Sequence, residues 1–167
     1  MALIVEDGTG RTDAESYASV AYADAYHTAM GSASWAIATE GAREAALRRA
    51  TAYADAAYLW RGLRAWPEQS LAWPRGGVVS DNIDLPSDEV PVQLQRAVCE
   101  LALKALSTDL MPDIAPDVVT QESVGPVSVS YGQARNGGMT RFSLVDAMLR
   151  DLVLSGGAGG SVRVVRA

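Results

Sequence analysis

Cysteine, histidine, lysine and phenylalanine are almost missing from this sequence of 167 residues: Cys99, His27, Lys104 and Phe142 are the single examples of each. One cysteine excludes an intramolecular disulfide and fits a reducing compartment. One histidine and one cysteine leave any zinc site dependent on carboxylates, and no HExxH or CxxC spacing occurs. No run approaches the roughly 18 apolar residues of a membrane helix. The opening Met1-Ala2-Leu3-Ile4-Val5-Glu6-Asp7-Gly8 lacks the basic and long apolar regions of a signal peptide. These absences predict a soluble, intracellular protein. Positive charge is also short, with 14 Lys and Arg against 20 Asp and Glu and a net charge of -6. Proteins whose main work is gripping phosphates usually carry the opposite sign, so composition lowers a nucleic-acid reading.

What is present is apolar residue in quantity, 49% of the chain, enough to bury a core in one domain. Ser19 caps an expected first helix over residues 20–30, with Val20, Ala23, Tyr26 and His27 on one stripe and Gly31 just past its end. Residues 32–39, containing Trp35, read as a connection. A longer helix is expected over residues 40–59, with Leu47, Ala50, Ala54, Ala57 and Tyr58 on one face. Its alanines favour close approach of a neighbouring helix, within the subunit or between subunits. Residues 63–85 hold Pro, Gly and Trp without a sustained period and predict an ordered loop pinned by Trp66 and Trp73. Ser87, Asp88 and Glu89 then open a third helix, with Pro91 in its first turn. Leu94, Ala97, Val98, Leu101, Leu103, Ala105 and Leu106 form its apolar surface.

The period changes to two between residues 117 and 131. Val127, Val129 and Tyr131 alternate with Ser128 and Ser130, which predicts a β-hairpin. A lone hairpin is marginal, so these three residues are expected to pack on the helices or on another subunit. A fourth helix is expected over residues 144–154, with Ser143 and Asp146 at capping-box spacing. Residues 1–154 thus read as a mainly α domain of four helices with a small β-hairpin. Residues 155–167 read as an extended C-terminal tail. Gly156, Gly157, Gly159 and Gly160 give this tail a hinge. Val162, Arg163, Val164, Val165 and Arg166 form a β-prone, basic end suited to docking on an acidic partner edge.

Catalytic signals are thin, and the expectation is a protein that is not an enzyme and needs no cofactor or metal. Cys99 lies among Val98, Leu101 and Ala102 and reads as a buried, inert thiol. His27 reads as a core or boundary residue before a general base, although a Cys99–His27 dyad stays open at this level. No GxSxG elbow accompanies the serines. Asp7, Asp13 and Glu15 lack calcium-loop spacing and read as a solvated acidic turn. The glycines of the tail lack the Lys-Ser/Thr and following helix of a P-loop. Trp60, Trp66 and Trp73 near Arg61, Arg64 and Arg75 could stack single-stranded bases, and a packed loop with snorkelling arginines is the reading set above it.

Several segments taken together resemble one family. They are Ala2-Leu3-Ile4-Val5-Glu6-Asp7-Gly8-Thr9-Gly10, Ala14-Glu15-Ser16-Tyr17, Ala23-Asp24-Ala25-Tyr26-His27, Glu44-Ala45-Ala46-Leu47-Arg48-Arg49-Ala50-Thr51, Trp60-Arg61-Gly62, Leu71-Ala72-Trp73-Pro74-Arg75, Glu89-Val90-Pro91, Ala97-Val98-Cys99-Glu100-Leu101-Ala102 and Val124-Gly125-Pro126. The set resembles a group of tailed-phage and prophage proteins labelled DnaT-like single-stranded-DNA-binding proteins, and is also similar to head–tail connector, or adaptor, proteins. The connector resemblance implies an adaptor-type helical fold in a ring of twelve copies. That ring would dock on the portal protein, receive a tail or stopper protein below, and let double-stranded DNA pass within the virion neck after assembly in the host cytoplasm. It implies no catalytic residues, and portal engagement is carried onto Val162 through Arg166. The label implies the alternative, single-stranded-DNA binding through the tryptophan–arginine region.

Overall fold

Ser19 is extended, and its Oγ accepts the Tyr22 N–H at 3.0 Å, so the first helix starts where the sequence places it. In the computed structural model this helix, α1, spans Val20–Ala29, and Gly31 follows at φ 68°. The structure describes residues 2–112, 121–124, 127–130 and 142–154, with the backbone alone for 121–124 and 127–130. The segment expected to be a connection holds a short helix, α2 (Ala33–Ile37). Trp35 explains it: the indole is buried, donates from Nε1 to Asp24 at 2.7 Å, and draws the chain down onto α1.

Thr39 caps α3 (Glu40–Ala57) through the Ala42 N–H. Leu47, Ala50 and Ala54 are fully buried, as the periodicity predicts, and Ala46, Thr51 and Tyr53 join them. Helix α4 (Val92–Ala105) presents Leu94, Ala97, Val98, Leu101, Ala102 and Ala105 to the interior. It packs against α3 on one side and against α5 (Ser143–Leu149) on the other, and α1 touches both α3 and α4. The alanines of α3 and α4 serve close helix contact within this one chain. Each fully buried leucine at this seam contributes about 1.5–3 kcal/mol.

Two helix starts differ from expectation. Ser87, Asp88 and Glu89 sit in the turn before α4, and Pro91 is the capping residue, without a side-chain cap. Proline has no side-chain acceptor to offer, and the helix opens on ordinary backbone bonds alone: Pro91 O accepts from Leu94 and Gln95. Ser143 lies inside α5, behind Phe142, and Asp146 accepts the Tyr58 hydroxyl at 2.7 Å instead of closing a capping box. A tertiary partner wins over the local one.

The mainly α expectation of four helices needs correction to five helices with three two-stranded antiparallel ladders among the described residues. Residues 63–85 are not simply loop. Strand β1 (Leu63–Arg64) pairs with β2 (Arg75–Gly76), and β3 (Val79–Ser80) pairs with β4 (Ile83–Asp84). Two-residue strands are too short to impose a period on the sequence, which is why they were not legible. The expected hairpin is present as β5 (Gln121–Val124) and β6 (Val127–Ser130), in the register Glu122↔Val129 and Val124↔Val127. Tyr131 lies outside the described residues, as do the tail glycines Gly156, Gly157, Gly159 and Gly160 and the docking segment Val162, Arg163, Val164, Val165 and Arg166. None of the helices among the described residues is long and apolar enough to cross a membrane.

Two short pairings close the domain. Val5 bridges Ser16 in parallel, so the apolar run at the start is an anchored arm. Trp60 bridges Val153, with Arg61 N–H on Leu152 O at 2.9 Å and Leu154 N–H on Leu59 O at 2.8 Å. The segment after α5 is thereby tied to the end of α3.

Candidate nucleic-acid interface

Trp73 anchors the region between α3 and α4. Its ring is fully buried and meets Trp60 edge to face, with centroids 6.0 Å apart. Its backbone is held by a buried polar chain. Tyr17 OH donates to Asp55 Oδ1 at 2.6 Å and accepts the Trp73 N–H at 3.1 Å, while Asp55 Oδ2 accepts the Ala72 N–H at 2.9 Å. Burial pushes the Asp55 carboxyl above its usual range, against the lowering effect of the Tyr17 hydroxyl, the Ala72 N–H, Arg64 and Arg75. Burial likewise pushes the Tyr17 phenol up, helped by Asp55.

Arg75 turns this anchor into a scaffold. Its Nε donates to Arg61 O at 2.7 Å, Nη2 to Gly62 O at 2.7 Å and Nη1 to Ala72 O at 3.1 Å. It staples both ends of the loop, and desolvation and the nearby Arg64 lower its pKa. Gly62 permits the closure. At φ 69°, a Cβ there would lie 2.3 Å from Gly76 O.

The β1–β2 ladder then places Arg64 directly opposite Arg75. Like charges in that position repel. Arg75 is occupied by carbonyls. Arg64 is exposed, makes no ion pair among the described residues, and has one long hydrogen bond, 3.5 Å to Gln69 O. Trp66 lies two residues further on and is 51% exposed. Its ring rests on Gly10: a Cβ there would stand 2.0 Å from Trp66 Cδ1. The Gly10 loop is shaped by buried Glu6, whose carboxylate accepts the N–H groups of Gly8, Gly10 and Arg11, each at 2.9 Å. Buried Gln69 accepts the Trp66 N–H at 3.0 Å and donates to Leu71 O at 2.8 Å. Leu63, Arg64, Ala65 and Trp66 line an open groove of about 580 Å³ together with Gly62, Gly76, Gly77 and Ser87.

The six residues singled out by sequence are therefore divided. Trp60 and Trp73 are core, and Arg61 and Arg75 are structural, with Arg61 Nε on Val153 O. Trp66 and Arg64 alone among them reach the groove as exposed side chains. Sequence reasoning missed Gly10, Gln69 and the exposed Leu63. Gly10 carried a signal as the last residue of the Gly8-Thr9-Gly10 turn, whereas Gln69 carried none.

The other candidate chemistry resolves into structure. His27 is buried, and its Nε2 lies 3.1 Å from the Cys99 carbonyl, not the thiol. A carbonyl only accepts, so Nε2 carries the proton and Nδ1 accepts from Ser32 Oγ at 3.3 Å. Burial pushes the Cys99 thiol up to about 12, the opposite of an activated nucleophile. In the acidic turn, Asp13 pairs with Arg11, Glu15 pairs with Arg48, and Asp7 accepts from Thr9.

His27 yields a pH prediction. Burial lowers its pKa from 6.5, so the unfolded chain protonates first. The stability this ring carries is whole above about pH 6.5 and drains as pH falls toward the folded value. Denaturant unfolding of wild type and His27→Gln between pH 7.5 and 5 should diverge below pH 6.5, wild type losing up to about 1.4 kcal/mol per pH unit more than the variant. Parallel curves would show that His27 does not set that slope.

Fold and groove together define a small domain of helices and short antiparallel ladders that displays the half-exposed Trp66 indole beside the exposed Arg64 in one groove. Over residues 1–167 the sequence matches the family described as "Putative DnaT-like ssDNA binding protein", and the chain belongs to that family. No curated protein and no solved structure matches it significantly. The whole-length match corrects the connector resemblance. With it go the adaptor-type ring of twelve copies, the portal and tail or stopper partners and the DNA channel. The segments quoted for the resemblance belong to the DnaT-like family, whose description names single-stranded DNA. The reading subordinated by composition was the better one. Net charge is a sum over the whole surface, whereas a binding site depends on local charge.

Proposed function

We propose that this protein binds single-stranded DNA through the groove beside β1, as a binding protein and not an enzyme. The observation that carries this reading is the pairing in one groove of the half-exposed Trp66 indole with the exposed Arg64, which has no ion pair among the described residues. An indole face accepts any base by stacking, at about 1–3 kcal/mol per base, and a guanidinium matches a phosphate. The family description supports the same ligand. Bases inside a duplex are stacked on one another, so this platform favours single strands.

The test is titration of a fluorescently labelled oligothymidylate with wild type and Trp66→Ala at low salt. The variant should bind about 5- to 150-fold more weakly, the equivalent of one lost stacked base. Its circular dichroism should be unchanged, because the ring is half outside the fold. Equal affinities for wild type and variant would sink this assignment of the site.

A further inference from the structure

We infer, resting on the reading above, that the groove recognises a very short stretch of about two nucleotides, held mainly by stacking of one base and one adjacent phosphate, and not a long backbone track. Trp66 is the exposed indole there, since Trp60 and Trp73 are buried. One platform takes one base.

Among the described residues, the other guanidiniums nearby are held by shorter bonds than the 3.5 Å contact of Arg64 with Gln69 O. Arg75 donates to three carbonyls, Arg61 donates to Val153 O, and Arg11 makes two bonds to Asp13 at 3.0 and 3.1 Å. Arg64 remains, and one guanidinium takes one phosphate.

Extension of the strand is opposed on the Trp66 side. The ring lies on the Gly10 loop, which carries exposed Asp7, and exposed Glu68 follows two residues after Trp66. A further phosphate there would meet carboxylates. Elsewhere in the lining, Gly77 has open space where a side chain would stand, so a sugar or base can approach its backbone closely without adding charge. A volume of about 580 Å³ is that of a small-ligand cleft and not of an extended channel.

A stacking-dominated site has a distinctive salt signature. Each neutralised phosphate of a single strand contributes about -0.7 to the slope of log K against log salt. One or two phosphates give a slope between about -0.7 and -1.4. Arg64→Ala should flatten that slope by about 0.7 while leaving tryptophan quenching by the base in place.

The experiment compares dT2, dT4 and dT12 on the full chain, by tryptophan quenching and calorimetry, with affinities divided by the number of binding registers on each oligomer. The expected result is a dT2 affinity within about tenfold of dT12 per register, on the scale where tenfold is one step in the binding constant. Trp66→Phe should keep most of the dT2 binding and Trp66→Ala should lose it, which separates loss of the platform from misfolding. A dT12 affinity more than about tenfold tighter per register, or a salt slope steeper than about -2, would overturn the short footprint and leave single-strand binding standing. Failure of every oligomer to bind would remove both.

Discussion

Trp73→Ala should lower the stability of this protein by about 3–5 kcal/mol, the cost of emptying a fully buried aromatic site. Domains of this size are stable by only about 5–15 kcal/mol, so a large part of the folded margin would go. The melting temperature should fall by roughly 10 °C or more. The site cannot collapse easily. Tyr17, Asp55 and Ala72 hold the backbone around it, and Trp60 loses its edge-to-face partner. Trp73→Phe is the informative control. The Trp73 Nε1 is buried with no hydrogen-bond partner among the described residues. Phenylalanine removes that unsatisfied donor, worth about 1–3 kcal/mol of desolvation, and leaves a smaller void. It should therefore recover more than half of the alanine loss. Chemical denaturation of the three proteins decides the matter, and a Trp73→Ala cost below about 1 kcal/mol would mean that the ring does not anchor this region.

The second large effect is expected from Tyr17→Phe, which deletes one oxygen. That oxygen donates to Asp55 Oδ1 and accepts from the Trp73 N–H, so its loss leaves these two atoms without that partner, while Asp55 Oδ2 keeps the Ala72 N–H. A buried unpaired group costs about 1–3 kcal/mol, more when charged, which puts the variant about 2–5 kcal/mol down at pH 7. The pH dependence gives the mechanism away. Asp55 already has a raised pKa through burial, and the Tyr17 hydroxyl counters that rise. Removing it raises the folded pKa further. A raised carboxyl favours the folded state below its unfolded pKa and loses that favour as pH climbs through the folded value. The penalty of Tyr17→Phe should thus be greatest at neutral pH and shrink toward pH 4. Urea unfolding of wild type and variant at both pH values measures it. A penalty independent of pH would assign the loss to packing and not to Asp55.

Both effects bear on the groove, because the same chain of contacts positions β1 and β2. Trp73 and Asp55 fix residues 72–75, Arg75 fixes Arg61 and Gly62, and Arg64 and Trp66 follow from there. A core substitution at Trp73 should weaken DNA binding as well as stability, whereas Trp66→Ala should weaken binding alone.

The helices were legible because their signals are local. Ser19 before an apolar stripe, Gly31 after it, and Leu94, Val98, Leu101 and Ala105 at helical spacing report burial through period, and the structure buries them. The caps at Ser87 and Ser143 failed where proline chemistry or a distant hydroxyl outcompeted the local bond. The region 63–85 was legible only as ordered. Three tryptophans and three arginines were visible over residues 60–75 as a set, yet composition cannot say which ring turns inward.

By itself, the sequence determined helices α1, α3, α4 and α5, the β5–β6 hairpin and the buried setting of Cys99, while the whole-length family match replaced the connector resemblance. Tertiary structure alone decided that Trp60 and Trp73 are core while Trp66 is platform, and that Arg75 is a staple while Arg64 is free of ion pairing among the described residues. The reason is physical. Tryptophan and arginine each carry an apolar body and a polar end, so either can serve core or surface. Which role each takes depends on contacts made across the chain, by Tyr17, Asp55 and Gly10 here, and no local period encodes those.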